Sequence, residues 1–245
     1  MRNLFSACLF LLLVATTSRV EGSVILGQIE TFDDPHNWVI AAGPMIGVPV
    51  AVPTALGGPG GAADPFLSLV STGGDGPGSR LTAQNFDEWS GDYLAAGVNR
   101  IGMDVRNFGA SDVFLRLLFV EFGAMGPVGA ALTTNPIVVP GGSDWNTIQF
   151  DISPAALTGL FGTGTGALSN AGELRIFHSV LPIFAPGQNA PIVANLGVDN
   201  ITAAQAAVPE PATLMLFSGA VLCGLSRRRK RNPVSFRDSR VRRSA

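Results

Sequence analysis

Between residues 23 and 207 the chain contains neither cysteine nor lysine. Its two cysteines, Cys8 and Cys223, sit in apolar segments near the two ends. No disulfide, thiolate-ligated metal or cysteine nucleophile is therefore available to the region between them. Histidine is nearly as scarce, with only His36 and His178. That excludes a three-histidine zinc site and leaves one imidazole at most for any hydrolytic triad. No Gly-x-Ser-x-Gly elbow accompanies either histidine, and no Asp-x-Asp-x-Asp-Gly loop occurs. The glycine-rich stretches 59–61 and 73–78 lack the following lysine and hydroxyl of a phosphate-cradling loop.

Positive charge is missing from the body as well. Arg80, Arg100, Arg106, Arg116 and Arg175 face fifteen acidic residues between positions 23 and 207, a net charge of −10 that the whole-chain value of −2 conceals. Such a surface repels phosphate backbones, so nucleic acid is excluded as a partner.

What the chain has in abundance is 30 glycines and 17 prolines, which punctuate strands and spoil helix interiors. Period-two patterns mark strands near 23–31, 66–71, 100–106, 112–122, 136–140, 146–152, 173–180 and 196–202. With no strong helical window to supply crossovers, these strands imply an all-β antiparallel sandwich of the jelly-roll type. Val113, Leu115, Leu117 and Phe119 alternate with Phe114, Arg116, Leu118 and Val120, so both faces of that strand are largely apolar and it belongs in the middle of a sheet. In 146–152, Ile148, Phe150 and Ile152 point to the core and Thr147, Gln149 and Asp151 to water.

The two ends read as addresses. Arg2 precedes an uncharged run over 3–18, followed by small residues up to Ser23. This is the pattern of a secretory signal peptide, with Val20 and Gly22 at the positions a signal peptidase reads and cleavage after Gly22. At the other end, Pro209-Glu210-Pro211 leads into an uncharged stretch, 212–225, which stops at Arg227-Arg228-Arg229-Lys230-Arg231. Fourteen apolar residues are short for a transmembrane helix, but five flanking basic residues act as a cytoplasmic stop and their long stems can snorkel. Four segments follow: a signal peptide (1–22), a β-sandwich domain (23–207), a C-terminal signal (208–231) and a disordered basic tail (232–245).

The order of tripeptide, apolar helix and basic cluster over 208–231 resembles the PEP-CTERM sorting signal. The resemblance implies processing by a membrane-embedded exosortase in bacteria that make extracellular polysaccharide. Pro209, Glu210 and Pro211 would be the recognition element, 212–225 a transient membrane anchor, and Arg227, Arg228, Arg229, Lys230 and Arg231 the stop. The tail from 232 to 245 departs from the family, which usually ends soon after its arginines. The protein would be exported through an inner-membrane intermediate to the cell surface or beyond.

Within the body, Ile29-Glu30-Thr31-Phe32-Asp33, Asp144-Trp145-Asn146 and Leu196-Gly197-Val198-Asp199-Asn200-Ile201 are similar to segments of carbohydrate-binding jelly rolls of the galactose-binding-like type. In those domains the first and last strands lie together and often hold structural calcium. The resemblance implies Ca2+ held by Glu30, Asp33 and Asp199, with Asp34 nearby, against the alternative that these acids face water. Trp38, Trp89, Tyr93 and Trp145 could stack on sugar rings or fill the core. Pairs such as Asp87 with Glu88, or Glu121 with Glu173, could serve glycoside hydrolysis or merely be solvated. The leading expectation is a non-enzymatic surface or matrix protein that contacts extracellular polysaccharide. A glycan-active hydrolase and a module with a defined sugar or calcium ligand remain open beside it.

The two prolines keep the tripeptide extended, since each lacks an N–H and restricts the residue before it. The Glu210→Ala variant should be exported normally and then held, unprocessed, in the inner membrane of an exosortase-bearing host. Fractionation of tagged protein checks this, and normal surface release of the variant would overturn the sorting assignment.

Overall fold

In the computed structural model the described residues are 23–40, 50–74, 79–184 and 191–206. The segments expected to be a signal peptide, a C-terminal signal with a transmembrane helix, and a basic tail lie outside them. Among the described residues no helix is long and apolar enough to cross a membrane.

Strands form where β-branched and aromatic residues alternate with polar or small ones. In chain order they are β1 (Ile29–Glu30), β2 (Val39–Ile40), β3 (Val50–Ala51), β4 (Thr54–Gly58), β5 (Gly61–Thr72), β6 (Thr82–Asn85) and β7 (Arg100–Asn107). There follow β8 (Val113–Gly123), β9 (Gly126–Thr133), β10 (Ile137–Val139), β11 (Asn146–Asp151), β12 (Leu157–Phe161), β13 (Ala171–His178) and β14 (Val193–Ala204). One short helix, α1 (Gly164–Ser169), is capped by the Thr163 hydroxyl, which accepts from the Gly166 N–H.

The strands make two antiparallel sheets. The first runs β11-β7-β14-β5-β4, with β1 paired to the far end of β14, and the second runs β12-β9-β8-β13-β6-β2-β3, with β10 paired to the start of β8. The expected sandwich is thus present, and β8 is central. First and last strands lie together through Ile29↔Thr202 and Glu30↔Ile201. Of the expected first strand only β1 forms; the chain from 23 to 28 is held by a turn and by Gly27 N–H donating to the Ala203 carbonyl.

The core lies between the sheets. Leu67, Leu69, Ile101, Met103, Val105, Leu196, Val198 and Ile201 from one meet Val113, Leu115, Leu117, Phe119, Leu174 and Ile176 from the other, all buried. Each such side chain contributes about 1.5–3 kcal/mol.

Arg116 is the polar exception on β8, 1% exposed on the outer face of the second sheet. Its guanidinium donates to four carbonyls: Ser179 (2.9 Å), Thr133 (2.5 Å), Thr134 (2.7 Å) and Val180 (2.9 Å). The segment 179–184 is thereby strapped over that face. Phe184 closes it by meeting the Phe177 ring edge-on at 5.0 Å and taking the Arg175 guanidinium over its own ring at 4.4 Å. Beneath it Leu118, Val120, Leu132 and Phe177 form a second apolar cluster.

Replacing Arg116 by Met should strip four carbonyls of their donor at once, those of the buried Thr133 and Ser179 among them. We expect a loss of about 3 kcal/mol, or roughly 10 °C in Tm, by thermal unfolding. The exposed Arg100→Met change should stay within about 0.5 kcal/mol.

Candidate functional site

The outer face of the first sheet is built differently. Along β14, Ala194, Leu196 and Val198 point inward, so Asn195, Gly197 and Asp199 point outward. Gly197 is the floor of an aromatic group. A Cβ there would lie 2.7 Å from Trp145 Cη2, 3.0 Å from Phe108 Cε2 and 3.0 Å from Phe66 Cδ2, so only glycine lets the rings settle on the strand. Phe66 comes from β5, Phe108 follows β7, and Trp145 precedes β11. Phe66 and Phe108 are stacked at 5.5 Å, and Trp145 meets Phe66 edge-on at 5.2 Å. The Trp145 indole N–H donates to the Gly57 carbonyl on β4 at 3.0 Å, which pins the ring across the sheet.

This group is open on one side. Phe108 is 41% exposed and Trp145 half-buried. The Arg106 guanidinium lies 4.7 Å above the Phe108 ring and pairs with the exposed Asp144 at 3.2 Å. An aromatic surface edged by a cation, a carboxylate and the Ser68 hydroxyl beside Gly197 can take the apolar face of a sugar ring and hydrogen-bond its hydroxyls.

The other three aromatic candidates do not contribute, because Trp38, Trp89 and Tyr93 are fully buried in the core. The signal separating them from Trp145 is local: Trp38 precedes the apolar β2, whereas Trp145 follows the loop residues Gly141-Gly142-Ser143-Asp144.

Next to the aromatic group lies an acidic one. Asp199 and Asp104 are direct partners on β14 and β7. Asp104 accepts from Thr147 Oγ1 (2.5 Å) and Asn200 Nδ2 (2.8 Å), Asp64 from the Gly60 N–H (2.6 Å), and Asp33 from Thr31 Oγ1 (2.9 Å). Asp199 is 1% exposed, and burial pushes its carboxyl up to about 7, with Asp64, Asp104 and Asp33 adding repulsion and the Asn200 N–H opposing it. A bulge between Asp199 and Thr202 shapes this corner: Asn200 adopts φ 49, tolerable for asparagine, and Ile201 returns to the core.

Of the residues read as calcium ligands, Asp33 and Asp199 belong to this group. Glu30 does not; its carboxylate accepts from the Trp89 indole at 3.3 Å and faces Glu88 instead. Asp64 and Asp104, which the sequence reading passed over, take its place. Among the described residues no group of three or more histidine, cysteine, aspartate or glutamate side chains is placed to hold a metal ion.

The paired carboxylates and the histidines have local partners. Asp87 and Glu88 both accept from Asn37 Nδ2, and the buried Glu173 is bound to Arg175 at 2.5 Å. His36 Nδ1 accepts from the Trp38 N–H and His178 Nδ1 from the Phe114 N–H.

Residues 207–230 match the family model of the PEP-CTERM protein-sorting motif, which marks the chain as an exported protein. No curated protein sequence matches the chain. Its fold is similar to the family 11 carbohydrate-binding module of the cellulosomal cellulase Lic26A-Cel5E of Clostridium thermocellum, at 16% identity and TM-score 0.47 over 77% of this chain and 100% of that one. It is also similar to part of an exo-β-agarase, at 12% identity and TM-score 0.48 over 76% and 26% of the two chains. A third likeness is to the non-crystalline cellulose specific module CBM28, at 12% identity and TM-score 0.37 over 75% and 97%.

The Asp199 shift fixes a pH dependence. The folded state holds this proton more tightly than the unfolded chain, so the stability it contributes is complete below about pH 4 and lost as pH rises through about 7. Metal-free protein should melt several degrees lower at pH 8 than at pH 5. Asp199→Asn should reduce that difference, as read from melting curves across the pH range.

Proposed function

We propose that the domain is a non-catalytic polysaccharide-binding module of an exported cell-surface or matrix protein, which reaches its place through an exosortase and a transient membrane-anchored intermediate. One observation carries the reading: Trp145, Phe108 and Phe66 are assembled on Gly197 with one side open and with Arg106 and Asp144 at the rim. Stacking supplies sequence-tolerant affinity for pyranose faces, and the rim groups orient the hydroxyls. The −10 charge of the body disfavours strongly anionic polymers, so the sugar chain it takes is neutral or bridged by a cation.

We propose calcium at the same face, where Asp33, Asp64, Asp104 and Asp199 offer only hard oxygen donors and would have to draw together around the ion as it binds; its charge would offset the repulsion that adds to burial in raising Asp199. Its role would be structural, fixing the loop after β1 against β14 and β5. Millimolar calcium should then raise Tm at pH 8 and do so much less at pH 5, where it competes with the proton.

Binding is tested with the exported, mature protein against neutral and acidic polysaccharides by glycan array and calorimetry. Trp145→Ala and the less disruptive Phe108→Ser should each weaken binding about tenfold or more, which is about 1.4 kcal/mol, while near-UV circular dichroism stays native. Unchanged affinity in both variants would sink the platform. Shortening of the polymer on incubation would replace the binding reading with a hydrolytic one.

A further inference from the structure

A second concavity lies at the other side of β1, an open groove of about 380 Å3 between the start of the body and the turn at 86–90. Its lining includes Ser23, Glu30, Asp34 and Glu88 with the apolar Ile25 and Ile29. Among the described residues no lysine or arginine is part of it. Glu88 is held from both oxygens, accepting from Asn37 Nδ2 (2.5 Å) and Asn85 Nδ2 (3.0 Å). Glu30 is held from behind by the Trp89 indole. The indole N–H of Trp38, fully buried and making no hydrogen bond among the described residues, lies close enough to favour the ionised carboxylate too. Burial and the charge of Glu88 nevertheless push Glu30 up, so the pair has the character of anions short of a cation.

Ser23 is not a loose end at this groove. The Val24 side chain is buried, its N–H donates to the Ser90 carbonyl at 2.7 Å, and Ser23 rests on Gly91, where a Cβ would come within 2.5 Å of the Ser23 hydroxyl. The turn that anchors Val24 therefore also carries Glu88. Hydrolysis of the Gly22–Ser23 peptide bond by water leaves a carboxylate on Gly22 and a new α-ammonium on Ser23, at a position the fold already fixes.

We propose that this groove is a site for a primary ammonium group, and that its occupant is the chain's own Ser23 terminus, created when the leader is removed. An uncharged amide in the precursor becomes a cation beside Glu30 and Glu88 in the mature protein, so removal of the leader adds an ion pair that the precursor lacks. Of the other titratable groups, Asp34 lines the groove, while Asp87 on the turn shares the Asn37 amide with Glu88 and His36 on the loop after β1 feels the Glu88 charge. Burial pushes the His36 imidazole down, away from the charged form, with Glu88 opposing.

The sign follows from linkage. An α-ammonium held by carboxylates titrates above its ordinary value of about 7.7–8.0, so its stabilisation is complete below that range and disappears as pH rises through the higher folded value. The test compares two full-length chains exported through their own leader and purified in detergent. One is native; the other has Gly-Ser-Gly-Ser inserted between Gly22 and Ser23. Mass spectrometry establishes each terminus, and the 13C signal of the reductively methylated α-amine gives its titration. We expect the native terminus at Ser23, its amine to titrate at least about half a unit above the ordinary range, and a Tm about 3 °C higher than the inserted chain at pH 6, converging by pH 10. Glu30→Gln and Glu88→Gln should each lower the amine's titration point in protein that still melts cooperatively. A mature terminus elsewhere, an ordinary amine titration, or one unmoved by both variants overturns the proposal.

Discussion

The twelve residues of β14 must satisfy three neighbours at once. β5 pairs with Val193–Val198, β7 with Leu196–Asp199 and again with Thr202–Ala204, and β1 takes the place of β5 at Ile201 and Thr202. A regular strand would keep a single alternation throughout and send Ile201 and Ala203 to water. The bulge at Asp199–Thr202 breaks the alternation, so that Val198 and Ile201 both reach the core while Asp199 stays on the outer face. One strand thereby serves two ends: its regular part holds Gly197 and Asp199 on the outer face, and past the extra residue it returns Ile201 and Ala203 to the core and takes up β1. Asn200 is the residue that allows it, because its short amide tolerates the left-handed backbone and is then tied to Asp104.

The two outer faces show how differently one chain can finish two similar sheets. On the second sheet Arg116 draws four carbonyls together and the strap 179–184 seals an apolar cluster behind Phe184. On the first, the rings of Trp145 and Phe108 cover the strand only in part, and the carboxylates beside them are gathered without an opposing arginine among the described residues. Desolvation is completed on one face and left unfinished on the other, which is the condition for taking a ligand.

Much of this architecture could be read before any coordinates. The double apolar alternation of 113–120 located the central β8, and the single alternation after Trp145 located β11. Six strands were missed, β2, β3, β4, β6, β9 and β12; β9, with Gly126, Gly129, Ala130 and Ala131, and β4, ending Gly57-Gly58, show why, being made of residues small enough to read as turns. Their pairing comes from neighbours in space, which propensity does not see. The acidic site was half legible. Asp33 and Asp199 could be placed together from the pairing of first and last strands. That Glu30 turns to Trp89, and that Asp64 and Asp104 come in, depends on cross-strand register. Nor does composition distinguish three buried aromatics from the one that meets solvent.

The last described strand is also the middle one, and the chain leaves it only a few residues before the sorting motif begins. A pull transmitted from beyond Ala206 while the chain is anchored would enter the fold at the end of β14, and under the proposed function a polymer over Gly197 would bear on the same strand seven residues upstream of Ala204. Between those points the load runs parallel to the strand and is shared by the hydrogen bonds to β7 and β1, which must slip together and cannot open one at a time. The short path between those two points leaves the remaining eleven strands outside the line of force. Loaded along that line, β14 would act as a shear joint between its neighbours.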